Sequence, residues 1–169
     1  IEPIIGLRSK MTALGRGKWQ GSSGDRAKFG LTVPEIINSA RFLEQEGMAH
    51  TLKLLHFHIG SQLPDIRAIK DAVNEGARIY SELHKMGFAL EYVDVGGGLG
   101  IDYDGSKSTN DSSRNYSLAE YVADVVYGMK EVCDLEGVPH PNLVTESGRA
   151  ITAHHSCVIT EIVGEIKAD

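Results

Sequence analysis

The chain has 169 residues, 41% of them hydrophobic, which suffices for one packed domain but not for a large complete barrel. A formal charge of −6, without any lysine- or arginine-rich block, argues against nucleic acid or an anionic membrane as partner. No run reaches the roughly 20 apolar residues of a membrane helix, and Cys133 and Cys157 have neither zinc-site nor disulfide-framework spacing, so a cytoplasmic setting is expected.

In chain order, Ile1 to Arg8 (IEPIIGLR) predicts a strand with no leader ahead of it, as though the chain were cut from something larger. A Gly/Ser-rich loop, Gly15 to Gly24, leads to KFGL and then to a helix. Thr32 and Pro34 mark its first turn, Ile36, Ile37, Ala40 and Leu43 its apolar face, and Gly47 its end. The strand Thr51 to Ile59 follows, then a helix from about Asp65 to Met86. Ile66, Ile69, Val73, Ala77, Tyr80 and Leu83 form one buried stripe on it, and Gly87 stops it. A strand Leu90 to Val95, a glycine cluster and a polar insert, Asp102 to Tyr116, come next. A helix from Ser117 to Glu136, with Ser117 and Glu120 at capping-box spacing, precedes the strand Asn142 to Thr145 and a last strand-like stretch, Ser156 to Ile166. Strand alternating with helix predicts an α/β fold of parallel βαβ units, either a doubly wound sheet or half of a (β/α)₈ barrel.

Three polar clusters follow strands directly: HFHIGSQ (56–62), DVGGGLGIDYDG (94–105) and ESGRA (146–150). In parallel α/β folds ligands bind at the carboxyl ends of strands, so the three should converge. Four glycines in Gly96 to Gly100 carry an entropic cost that packing alone does not explain, and their expected use is to bring backbone N–H groups close to an anion. The competing dinucleotide fingerprint fails, because Ile101 stands where its third glycine belongs. A plain flexible turn remains the bland alternative. His56 and His58 share a strand face; one could be a core histidine, or the pair could bind metal with the adjacent His154 and His155 as further candidates. Ser61 offers a hydroxyl where a phosphate could sit. Glu146 and Arg149 could simply pair with each other, or could hold a protonated heteroaromatic nitrogen and a phosphate respectively.

These segments, in this order, resemble the pyridoxal-phosphate decarboxylases of basic amino acids, and within them the biosynthetic arginine decarboxylases. GKWQGSSGDRAKFGL, LLHFHIGSQ, RNYSLAEY and ESGRAITAHH carry the likeness, which runs through essentially the whole chain. Diaminopimelate and ornithine decarboxylases share the glycine run and HxGS pattern but typically read EPGR where this chain has Glu146-Ser147-Gly148-Arg149.

The resemblance implies the latter part of a (β/α)₈ TIM-type barrel of the alanine racemase/ornithine decarboxylase type. Residues 1–155 would be its second half and 156–169 a strand leading toward an absent second β domain. It also implies roles. His58 would stack on pyridoxal 5′-phosphate; Ser61, the amides of Gly96, Gly97 and Gly98, and Arg149 would hold its phosphate; Glu146 would keep the pyridine nitrogen protonated. Asp94 and Lys28 would support the site. The implied reaction converts L-arginine to agmatine and CO₂ toward putrescine and spermidine, in a homo-oligomer, with magnesium a possible further requirement and no ligand identified for it. The family's Schiff-base lysine would lie upstream of Ile1, and Cys157 is not the family's substrate-site cysteine, so this stretch by itself would be inactive. The alternatives are diaminopimelate or ornithine decarboxylase, or a non-catalytic relative.

Overall fold

Residues 2–12 and 27–165 are described by a computed structural model. The expected Gly15–Gly24 loop with its Trp19-Gln20 segment, Ile1 and Ile166 lie outside them. Four strands, β1 (Ile5–Ser9), β2 (Leu52–Phe57), β3 (Tyr92–Asp94) and β4 (Asn142–Val144), form one all-parallel sheet in sequential order. Helices α1 (Val33–Gln45), α2 (Ile66–Lys85) and α3 (Leu118–Glu136) make the crossovers, and a short α4 (Gly148–Thr152) follows β4. This is the arc of a (β/α) barrel, with every strand feeding the next through a helix.

The helix ends follow from local chemistry. The Glu35 carboxylate accepts from both the N–H (2.7 Å) and the hydroxyl (2.8 Å) of Thr32 at the start of α1. Asp65 Oδ1 accepts from the Arg67 N–H (3.0 Å) to open α2. Ser117 and Glu120 form the expected reciprocal box on α3: the Ser117 N–H donates to Glu120 (2.7 Å), and the Glu120 N–H to Ser117 Oγ (3.1 Å). Gly137, in the left-handed region at φ 65°, ends α3.

Leu55, Phe57, Val93 and Val95 on the helix side of the sheet are buried with Ile69, Val73, Tyr80, Tyr121, Val125 and Met129 of α2 and α3. The predicted α2 stripe is therefore the core face. The opposite sheet face carries Leu54 and then, nearer the strand ends, Arg8, His56 and Asp94. That split from apolar to charged is what a barrel interior requires when its mouth binds a polar ligand.

One local expectation changes. Ser156–Glu165 is not a strand: it has no regular structure, and Val158 and Val163 are 91% and 95% exposed. Alternating apolar residues do not make a strand without a neighbouring row of backbone donors and acceptors, and none lies beside this segment among the described residues. The ESGRA stretch follows β4 directly as expected, and from Gly148 it winds into α4, a helix the sequence reading did not include.

Gly76 shows how closely α2 lies on the sheet. A Cβ there would come within 2.4 Å of Phe57 Cε1, on a ring only 1% exposed. Gly76→Ala should destabilise the fold by about 1–3 kcal/mol through overpacking, outweighing the roughly 1 kcal/mol that alanine gains in a helix interior. A fall in the urea midpoint at unchanged slope would show it; a rise would mean that α2 shifts freely off the ring.

Candidate functional site

The register of the sheet builds the site in two levels. Arg8 of β1 pairs with His56 of β2, and His56 with Asp94 of β3, so the three stand side by side. Asp94 in turn pairs with Val144 of β4. Side chains two residues apart share a face, which puts His58, Gly96 and Glu146 one level higher, at the mouth. Pairing continues past the formal strand ends to hold that level, since the Glu146 N–H donates to the Gly96 carbonyl (2.9 Å).

Arg8, Phe29, His56, His58, Gly60, Ser61 and Glu146 line one open cavity of about 410 Å³, within the usual size of small-molecule sites, roughly 300–1,000 Å³. His58 is half-buried there, and its Nδ1 accepts a hydrogen bond from the Gly97 N–H (3.1 Å). That bond leaves the proton of a neutral ring on Nε2. Burial, and next the positive charge of Arg8, push the His58 pKa below its ordinary value.

Arg149, carried by α4, donates through Nη2 to Ser61 Oγ (3.0 Å) and through Nη1 to the Tyr103 hydroxyl (3.4 Å). A guanidinium and two hydroxyls thus meet on the β2 side of the mouth, a donor set suited to an anion. Among the described residues Arg149 forms no ion pair with Glu146, so the simple pairing of these two neighbours is not what the fold selects. Glu146 instead lies with His56 and Asp94: a ligand-capable atom from each of the three falls within 4.8 Å of the others. Asp94 is tied down on both oxygens, accepting from the Gly96 N–H through Oδ1 (2.9 Å) and standing 3.1 Å from His56 Nδ1 through Oδ2.

The glycine run has a packing explanation after all, which corrects the expectation that packing could not account for it. A Cβ on Gly96 would lie 2.3 Å from the Phe57 carbonyl oxygen, on Gly97 2.9 Å from that of Glu146, on Gly98 2.4 Å from that of Gly60, and on Gly100 2.6 Å from that of Leu63. Gly96 and Gly98 also hold φ at 69° and 101°. The run is where three strand-end loops touch backbone to backbone. Its first two amides are already used, by Asp94 and His58, and so shape the site from behind.

His56 and His58 both line the cavity as alternation predicts, but His154 and His155 do not join them among the cavity-lining residues. Lys28 stands 5.7 Å from the centre of the Phe29 ring, against which Arg8 also lies at 5.3 Å. Arg8 and Tyr103 are the residues sequence reasoning passed over. Arg8 was legible by the rule that picks out His56, being the last polar residue on the inner face of its strand. Tyr103 was not, because its approach to Arg149 depends on how the insert folds.

The family described as pyridoxal-dependent decarboxylase, pyridoxal binding domain, matches residues 3–153. The biosynthetic arginine decarboxylase of Thermosynechococcus vestitus is 53% identical over 97% of this chain, which spans 26% of that protein's length. Among solved structures, the biosynthetic arginine decarboxylase of Campylobacter jejuni superposes with a TM-score of 0.73 at 35% identity, over 87% of this chain and 23% of that one. A diaminopimelate decarboxylase of Helicobacter pylori, complexed with L-lysine, has the same fold, with a TM-score of 0.70 at 23% identity over 87% of this chain and 34% of its own. The chain thus spans about a quarter of the curated relatives it matches.

The depressed pKa of His58 has a measurable consequence. Its imidazole proton resonances should titrate with a midpoint below the ordinary 6.5. The stability tied to the neutral ring is therefore present above that pH and lost as pH falls through it toward the folded-state pKa. A midpoint at or above 6.5 in the NMR titration would show that the ring is neither dehydrated nor opposed by Arg8.

Proposed function

Since the chain belongs to the pyridoxal-dependent decarboxylases through their pyridoxal-binding domain, we propose that it forms the phosphate and ring seat of an enzyme that converts L-arginine to agmatine and CO₂. The observation that carries this reading is the separation of Glu146 from Arg149, one turned to the His56 side of the cavity and the other to Ser61. Pyridoxal 5′-phosphate needs an anion holder at one edge and a carboxylate at its ring nitrogen, and these residues fit both.

In this reading Arg149 and Ser61 bind the phosphate, joined by the Gly98 N–H, which has no acceptor among the described residues. Gly96 and Gly97 contribute by position, since their N–H groups hold Asp94 and His58 in place. His58 presents its neutral ring to the cofactor face. Glu146 keeps a proton on the ring nitrogen. The bound cofactor supplies an electron sink for the charge left when CO₂ departs. His56, Asp94 and Glu146 could in principle hold a metal ion, but the ring nitrogen needs Glu146, so magnesium is given no ligand here. Arginine as substrate rests on the 53% and 35% identities to arginine decarboxylases. A cytoplasmic homo-oligomer completes the proposal, supported by the acidic composition and by exposed apolar residues on α3 such as Val122 and Leu135.

The test is CO₂ release by the full-length polypeptide with pyridoxal phosphate and magnesium, offered arginine, ornithine, lysine and diaminopimelate side by side. Preference for arginine with agmatine as product is expected; preference for another amino acid moves the substrate, and no release from any overturns the reading. Glu146→Gln should still take up cofactor at saturating pyridoxal phosphate, though more weakly, while lowering the rate by roughly 10²–10³-fold, the scale of losing one preorganised electrostatic contact. Near-normal turnover would remove Glu146 from this role.

A further inference from the structure

Glu146 poses a structural problem. Its carboxylate must meet a ring nitrogen at a defined place, yet the residue is exposed and its side chain makes no hydrogen bond among the described residues. The neighbour best placed to hold it is His56, which lies beneath it on the inner face of the sheet. His56 is itself oriented from the β3 side: Asp94 Oδ2 stands 3.1 Å from its Nδ1, and both side chains are well buried, at 16% and 12% exposure. Nδ1 is sealed from water but lies off the line of a good hydrogen bond, so the contact is close without being settled. A buried imidazole nitrogen between two carboxylates is satisfied when each ring nitrogen serves one of them.

We infer that Asp94 and His56 are positioning residues for Glu146, the imidazole bridging the buried Asp94 carboxylate and the exposed Glu146 carboxylate so that Glu146 is held toward the ring nitrogen. The inference rests on the reading that Glu146 meets that nitrogen. Three features support the bridge. His56 and Asp94 are register partners, so the β2–β3 pairing itself sets their separation. The second Asp94 oxygen is fixed by the Gly96 N–H (2.9 Å), which keeps the first aimed at His56. The charged and titratable groups around the imidazole are Arg8 from β1, His58 from β2, Asp94 from β3 and Glu146 beyond β4. Arg8 stands on the side away from Asp94, so the carboxylates occupy the opposite flank. A carboxylate oriented through a histidine by a second, buried carboxylate follows the logic by which catalytic groups are commonly held in place.

The test uses the full-length polypeptide stripped of cofactor and titrated with pyridoxal phosphate, with the absorbance of the bound form followed against pH. A well-placed Glu146 carboxylate raises the pH at which the ring nitrogen gives up its proton. His56→Phe and Asp94→Asn should each weaken cofactor binding by about ten-fold or more and lower that pH by about one unit. The double variant should lose little more than either alone, because both act through one carboxylate. His56→Gln, which keeps a donor, should recover part of the loss. Asn at position 94 retains the oxygen that accepts from Gly96, and circular dichroism checks that each variant is folded. Unchanged binding and ring titration in folded His56→Phe or His56→Gln, while Glu146→Gln alters both, would overturn the bridge and leave the ring-nitrogen role standing. Additive losses in the double variant would overturn it too. Failure of the unaltered protein to bind pyridoxal phosphate, or no effect of Glu146→Gln, would overturn the underlying reading together with it.

Discussion

Everything at the mouth of this sheet depends on how closely three backbones approach one another at Gly96–Gly100. Parallel strands lie about 4.8 Å apart, but the loops leaving them must be brought tighter if residues from β2, β3 and β4 are to share one small cavity. Carbonyl oxygens of Phe57, Gly60 and Leu63 on one side and Glu146 on the other occupy the space where side chains of the run would begin. The hydrogen bonds that result are specific: Gly97 to His58, Leu63 to Gly98, Glu146 to Gly96. Any larger residue would push the β2 and β4 loops apart and carry His58 and Glu146 with them.

That closeness creates an electrostatic cost. Two carboxylates about 4.8 Å apart repel by roughly 3–4 kcal/mol at an effective dielectric of about 20, and by less here because Glu146 is open to water. The fold answers with donors rather than distance. The Gly96 amide takes one Asp94 oxygen, His56 faces the other, and Arg8 completes the row across β1, β2 and β3. His58, one level higher, experiences this same set; Asp94 and Glu146 draw its pKa up, yet burial and Arg8 outweigh them. Burial and Arg8 thus favour the neutral His58 ring even with two carboxylates close by.

The architecture was legible in the sequence because its signals were local and repeated. The α2 stripe, the Thr32 and Ser117 caps and the stops at Gly47 and Gly87 each follow from a few neighbouring residues, and the structure places them as read. Convergence of the three polar clusters was legible as well, from the rule that ligands bind at strand carboxyl ends. What could not be read was non-local. The reason for four glycines lies in carbonyls as far off as Glu146, and the Tyr103–Arg149 contact spans 46 positions. The stretch after His155 misled in the opposite direction, since its apolar alternation promises a strand that only a neighbour could make.

The seat also explains why chemistry and substrate choice separate in this fold. A diaminopimelate decarboxylase shares the architecture at a TM-score of 0.70 despite 23% identity, while an arginine decarboxylase reaches 0.73 at 35%. A scaffold common to enzymes named for different amino acids cannot encode the choice of side chain by itself. Reading a guanidinium requires a planar acceptor such as a carboxylate. Under the proposed assignment Glu146 serves the ring nitrogen with Asp94 behind it, and the rest of the cavity lining is cationic, aromatic or neutral. On that assignment, discrimination among amino-acid side chains would fall to acceptors outside this cavity.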